Sequence, residues 1–235
     1  MKLKTFLILS LAAHVVVLGT VVLILFKGPP GLKKQVTDSR AFKATAAIYN
    51  DARPMLNLRN TQWCLNSLSS YPIEFELAED KEEGKCKVVN SVEVKKVGRI
   101  RFSDPVVMTC SLAESMISWE KEVQEEALSI FNSPVSRLSH FGTYSCRENR
   151  SMPEVLSEHA YANAIDVSGF GLENGDFVSV LKDWSAPAGD RKAKFLRNVA
   201  QKACDPFSLV KSPRSDKLHK DHFHLDNGVY QRCLG

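Results

Sequence analysis

Four of the six histidines in this chain fall into two short clusters, each with carboxylates beside them. The first cluster reads Ser157-Glu158-His159-Ala160-Tyr161-Ala162-Asn163-Ala164-Ile165-Asp166, a His and an Asp seven positions apart. The second reads His219-Lys220-Asp221-His222-Phe223-His224-Leu225-Asp226, with His-x-x-His-x-His at its centre. Neutral imidazole and carboxylate are the ligands zinc takes in catalytic sites, where three protein groups leave a fourth position for water. The residue types and spacing therefore point to zinc-dependent hydrolytic chemistry. His14 and His140 stand alone and read as ordinary histidines.

Strands are the elements that must bring these groups together. Asp166 sits between Ile165 and Val167 in a predicted strand, and His159 lies in the turn that enters it. Asn163 to Leu181 reads as a hairpin turning at Asn174-Gly175. His222 and His224 lie two apart in a strand candidate over Asp221–Leu225, and a period of two points both to one face. A His and an Asp from one segment can then meet a His from the neighbouring strand on one metal. The paired histidines leave one imidazole free for proton chemistry.

The remaining elements supply the scaffold. Leu112, Met116, Trp119, Val123, Ala127 and Ile130 recur at helical spacing over Leu112–Phe131, and Ser133-Pro134 ends that helix. Asp190–Cys204 is a second amphipathic helix, with Phe195, Leu196, Val199 and Ala203 on its inner face. Val88–Phe102 alternates as a strand, and Phe207–Val210 is a short strand candidate. The mixed order predicts an α+β fold: a small, mainly antiparallel sheet with packed helices, preceded by one N-terminal transmembrane helix. Trp63, Trp119 and Trp184 are assigned to the core. Glu120, Glu122, Glu125 and Glu126 are assigned to a solvated helix face.

The uncharged stretch Phe6–Phe26 is long enough to cross a hydrocarbon core of about 30 Å and lacks a small-residue cleavage pattern. It predicts an uncleaved signal anchor. The domain plan is then a cytoplasmic N-terminus at 1–5, the anchor at 6–26, a juxtamembrane linker or spacer at 27–60, and one domain at 61–235. The linker carries Gly28-Pro29-Pro30-Gly31, with a short helix over Ala41–Leu58 broken at Pro54. Lys2 and Lys4 against Lys27, Lys33 and Lys34 leave the orientation undecided. The cysteines decide it. All six (Cys64, Cys86, Cys110, Cys146, Cys204, Cys233) lie beyond the anchor with no C-x-x-C pair, which predicts disulfides in an oxidising, periplasm-like compartment. Six cysteines allow 15 pairings, and their spacing does not choose among them. A net charge of +4 gives no dense basic patch, so nucleic acid is not an expected partner.

Ser157-x-His159 with Asp166, and His222-x-His224 downstream, resemble the zinc-peptidase superfamily of lysostaphin, D-Ala-D-Ala carboxypeptidase and hedgehog-type domains. Tyr144-Ser145-Cys146-Arg147, the stretch Ser157–Phe170, Trp184, Phe195-Leu196-Arg197 and Asp221–Asp226 are similar to the bacterial extensin-like C-terminal family, over roughly Trp63 to the C-terminus. The resemblance implies zinc ligands at His159, Asp166 and His224. It implies a general base or proton shuttle at His222. Arg147 would hold a substrate carboxylate or a developing oxyanion, His219 would line the cleft, and Ser157 would orient the His159 loop. Many members carry Gly three residues after the first His, where this chain has Ala162.

The implied function is a membrane-anchored periplasmic zinc metallopeptidase that hydrolyses peptidoglycan cross-link or stem peptide bonds. Its partners would be peptidoglycan peptides and, through the anchor, the bacterial inner membrane. The competing reading is a non-catalytic zinc-containing module for wall binding or assembly. Ser118-x-x-Lys121 and Ser208-x-x-Lys211 match a serine–lysine pattern, but no K-T-G partner exists and the first match lies in an amphipathic helix. Cys146 beside Arg147 predicts a disulfide that positions the arginine.

Overall fold

A computed structural model describes residues 20, 24–25, 27–56, 61–187 and 189–234. In chain order, α1 (Pro30–Asp38), α2 (Arg40–Leu56) and α3 (Thr61–Leu68) come first. Next are β1 (Ile73–Leu77), β2 (Lys81–Glu83), β3 (Cys86–Val88), β4 (Ser91–Val97), β5 (Ile100–Thr109), the long helix α4 (Cys110–Phe131) and β6 (Val135–His140). A short ladder of β7 (Glu148–Asn149) with β8 (Met152–Leu156) precedes a 3-10 turn, η1 (Glu158–Tyr161). The chain continues through β9 (Ala164–Leu172), β10 (Phe177–Ser179), α5 (Val180–Asp183) and α6 (Arg191–Lys202). It ends with β11 (Leu209–Lys211), a second 3-10 turn η2 (Lys217–His219), β12 (Phe223–Asp226) and β13 (Arg232–Leu234).

These elements form two compact units: the residues up to Ala52 with Glu148–Val155, and Arg53–Arg147 with Leu156 onward. In the first unit, Pro30 opens α1 at a position where its missing N–H costs nothing. Asn50 donates to the Glu154 carbonyl at 2.7 Å, and Lys43 lies 3.3 Å from the Glu154 carboxylate. The stretch expected to be a linker is thus largely helical, and α2 runs through Pro54 to Leu56.

The expected transmembrane helix is corrected. Among the described residues no helix is long and apolar enough to cross a membrane. The helices described near the N-terminus, α1 and α2, carry charged residues that a hydrocarbon core does not accept. The predicted span Phe6–Phe26 lies almost wholly outside the described residues, as does His14.

The second unit is α+β, built on a mixed sheet of nine strands rather than a small one. Its order is β1-β4-β5-β6-β9-β12-β11-β13, with β10 also paired to β9. The β5–β6 and β11–β13 pairs are parallel and the others antiparallel. The predicted strand Val88–Phe102 is divided among β3, β4 and β5, because the chain turns at Asn90, with φ 50°, and again at Gly98, whose φ of 56° suits glycine. A Cβ there would meet the Glu120 carboxylate. Glu120 is accordingly buried and accepts the Arg99 N–H at 3.0 Å, so it does not belong to the solvated face.

Helix α4 starts at Cys110, two residues before its apolar pattern, and is capped by Thr109, whose hydroxyl accepts from the Leu112 N–H at 3.3 Å. Asn132 ends it in the left-handed conformation. Leu112, Met116, Trp119, Val123 and Ala127 enter one core with Phe195, Leu196 and Val199 of α6. The Trp119 indole donates to the Val199 carbonyl at 2.8 Å, tying the two helices together. Trp184 also packs in this core, edge-on to Phe223 at 5.6 Å. Trp63 is corrected: it is 45% exposed, on the short helix α3, whose buried face is filled by Cys64 and Leu68.

The six cysteines form three disulfides, Cys64–Cys110, Cys86–Cys146 and Cys204–Cys233. The hairpin forms as expected, with Phe177, Val178 and Ser179 opposite Gly171, Phe170 and Gly169.

Candidate metal centre

Strand alternation builds the site. Ile165 and Val167 on β9, and Phe223 and Leu225 on β12, are wholly buried in the main core. The residues between them therefore face the other side of the sheet. On that side Asp166 stands directly opposite His224 in the β9–β12 register. His159 arrives from η1, which Ser157 caps: its hydroxyl accepts from the His159 N–H at 3.4 Å. Ala162 closes the turn at φ 52°, ψ 33°, the left-handed region in which glycine is free of strain. The strain on Ala is about 1–2 kcal/mol, and burial of its methyl returns about 0.8 kcal/mol. The substitution leaves the turn intact.

His159, Asp166 and His224 converge. His159 Nε2 lies 3.1 Å from His224 Nδ1 and 3.2 Å from Asp166 Oδ1, and His224 Nδ1 lies 3.0 Å from Asp166 Oδ1. Zinc–ligand bonds of 2.0–2.1 Å in a tetrahedron separate ligand atoms by about 3.3 Å. The triangle of donor atoms has nearly that size, and it is the one cluster of metal-ligand type found among the described residues.

The outer hydrogen bonds decide which ring nitrogens face the triangle. His159 Nδ1 lies 3.1 Å from the Thr143 carbonyl, which can only accept, so Nδ1 carries the proton and Nε2 offers its lone pair. His224 Nε2 lies 2.8 Å from the Asp226 carboxylate, which leaves Nδ1 toward the centre. Such partners are the usual supports of metal-ligating histidines. The lone pair of His159 Nε2 and the Asp166 oxygen then face each other at 3.2 Å, an arrangement that either a metal ion or a proton between them satisfies. The donor set fits zinc.

Without a metal, a proton on His224 Nδ1 faces the Asp166 oxygen. Burial, the strongest influence on His224, opposes its charge, but the hydrogen bonds with Asp166 and Asp226 override it and push the imidazole up to about 9. Burial likewise works against the Asp166 anion. Its hydrogen bonds with His159 and His224 prevail and hold the carboxyl well below the usual range.

His222 lies one residue before β12, not within it, yet faces the same way as His224. Its Nδ1 lies 2.9 Å from the Asp221 carboxylate, so Nε2 is the free nitrogen, 3.6 Å from Asp166 Oδ1. His219, on η2, meets His222 at a tilt and His224 edge-on, with ring centroids 5.2 and 5.8 Å away. Burial above all, against the Asp216 hydrogen bond, pulls His219 down to about 4, so it is neutral at pH 7. The exposed ring of Phe141 meets His222 edge-on at 5.7 Å. Arg147 is next to the Cys86–Cys146 bridge, and its carbonyl accepts from the Ser157 N–H at 3.0 Å. His140 is apart from the triangle. It holds the turn after β6, with Nε2 3.1 Å from the Asp104 carbonyl and Nδ1 accepting from Gly142.

Comparison with known families gives the context. Residues 62–234 match the family model for the extensin-like protein C-terminus. The chain belongs to that family. The match takes in the whole triangle, His219, His222, Arg147 and all six cysteines of this extensin-like domain. No curated protein and no solved structure matches the chain.

Sequence reasoning missed Asp226 and Thr143 as supports of the site. Asp226 was open to the same period-two argument that paired His222 with His224. Thr143 acts through its backbone carbonyl, which no side-chain pattern marks.

Proposed function

We propose that this extensin-like domain is a zinc-dependent peptidase of the lysostaphin and D-Ala-D-Ala carboxypeptidase superfamily, acting on peptidoglycan cross-link or stem peptide bonds. The observation that carries the reading is the triangle of His159, Asp166 and His224, with both histidine tautomers set for a metal by Thr143 and Asp226. Three disulfides support an oxidising compartment such as the periplasm, where the wall polymer is within reach.

When bound, zinc lowers the pKa of a coordinated water to about 7 and polarises a carbonyl. The chain's own groups do the rest. Asp166 and the two ligand imidazoles hold the centre. His222, with Nδ1–H fixed on Asp221, presents Nε2 as the proton acceptor and later returns the proton to the leaving amine. His219, neutral and at the rim, accepts a hydrogen bond from the substrate. Arg147 receives a substrate carboxylate through its forked donors.

The test uses the purified full chain with isolated sacculi and mass analysis of released peptides, alongside elemental analysis for zinc. Turnover that His222→Ala abolishes while zinc stays bound supports the peptidase. Zinc with no released peptide leaves a non-catalytic wall-binding module. A preparation without zinc that cannot take it up rejects both.

A further inference from the structure

Arg53 lies nine residues ahead of the matched domain, in the last turn of α2, and is 2% exposed. Its guanidinium grips Glu158 with two bonds, Nε to Oε1 at 3.1 Å and an Nη nitrogen to Oε2 at 2.6 Å. The same Nη nitrogen donates to the Asn227 carbonyl at 3.3 Å. Glu158 immediately precedes His159, and Asn227 immediately follows Asp226, the support of His224. One side chain therefore joins the two segments that carry the metal-facing histidines.

The join continues behind it. Glu158 accepts from Asn163 at 2.7 Å, and Asn163 accepts the Asn227 N–H on its backbone carbonyl at 3.2 Å. Asn227 also donates to the Ser111 carbonyl and the Ser115 hydroxyl, each at 2.8 Å, anchoring the assembly on α4. A buried Arg–Glu pair adds little net stability, because desolvation offsets the attraction, and its best-attested use is to fix a register. The planar fork of arginine suits a fixed separation better than a single ammonium does.

We infer that Arg53 is a positioning residue of the metal centre, a clamp that holds the His159 turn and the His224–Asp226 strand at the spacing zinc requires. The segment ahead of the domain thereby completes the site. The inference rests on the metal reading for its zinc measurement, but a second measurement does not need metal.

Removing Arg53 alone would leave the largely buried Glu158 carboxylate without its counter-charge and risks the fold. The test is therefore Arg53→Met with Glu158→Gln in the full chain, which removes both charges and keeps an acceptor for Asn163. Arg53→Lys is the second variant; it keeps the charge and gives up the reach to Asn227. Melting and circular dichroism check the fold. Zinc affinity is measured against a competing chelator, the cobalt(II) form by its visible spectrum, and the metal-free rings of His159 and His224 by their nitrogen resonances. The clamp predicts a folded double variant with 10–100-fold weaker zinc binding, a shifted cobalt band and moved ring resonances. Wild-type zinc affinity and unmoved resonances in either folded variant overturn it. If the wild-type chain takes no zinc, the metal reading falls, and the ring resonances alone decide the clamp.

Discussion

His224 faces Asp166 directly across the β12–β9 ladder, with Nδ1 3.0 Å from Oδ1. The pairing is not left to the polar groups. Ile165, Val167, Phe223 and Leu225 bury the other face of the same two strands, and a slip of one residue would turn them out to solvent. The core thus sets the separation of two atoms of the triangle. The third, His159 Nε2, depends on a 3-10 turn and its caps.

The support given by Asp226 is the most direct point of attack. Asp226 is buried, accepts from His224 Nε2 through one oxygen and from the Gly228 N–H through the other. Asp226→Ala releases the His224 tautomer and ring angle without touching a ligand atom. Under the proposed zinc reading, zinc affinity should fall 10–100-fold, measured by chelator competition. An affinity within twofold of wild type would show that the carboxylate does not tune the site.

Protonation of the metal-free site predicts a pH dependence with a definite sign. Against its burial, the hydrogen bonds with Asp166 and Asp226 push His224 up to about 9, above the ordinary 6.5. A raised imidazole favours the fold fully below pH 6.5 and loses that contribution as pH rises through about 9. The contribution is on the order of 3 kcal/mol. After chelation, Tm should decline from pH 6.5 to 9.5, and His224→Gln should flatten the decline. An alkaline slope equal in both proteins would place its origin elsewhere.

The histidine clusters were legible because the period of a strand is two, so residue type and spacing brought a His and an Asp to a His of the neighbouring strand; the choice of His224 over His222 came from the family resemblance. Asp226 was within reach of the same rule. Arg53 was not, since it meets Glu158 across 105 positions and only the folded chain brings them together. Glu120 was misassigned because its acidic neighbours suggested solvent, whereas the turn at Gly98 needs a buried acceptor for the Arg99 N–H. The nine-stranded extent of the sheet was hidden by strands of three or four residues, too short to show alternation.

The Cys86–Cys146 bridge lies directly before Arg147 and closes a sequence separation of 60. Loop closure of that length corresponds to roughly 4 kcal/mol of stabilisation. Cys86→Ser with Cys146→Ser should lower the urea midpoint accordingly. Under the proposed peptidase reading it should also raise KM for wall peptides more than it lowers kcat, because Arg147 is freed while His222 is not. Equal losses in both constants would separate the bridge from substrate binding.

Gln124 has no part in the site but secures the strand beside β9. Its amide donates to the Val135 carbonyl at 2.8 Å and accepts the Val135 N–H at 3.0 Å, and it also donates to Glu120 at 2.9 Å. Val135 is wholly buried at the start of β6, so neither backbone group has access to water. Gln124→Ala strands both, at about 1–3 kcal/mol for each, and should cost roughly 2–5 kcal/mol in urea unfolding. Gln124→Glu keeps the shape and the acceptor but loses the donor, and it sets a second carboxylate against Glu120 and the Val135 carbonyl. That variant should therefore be weakest at neutral pH and recover toward wild type as the new carboxylate is protonated. If both variants unfold within about 0.5 kcal/mol of wild type, as surface changes do, the side-chain bridge does not hold β6.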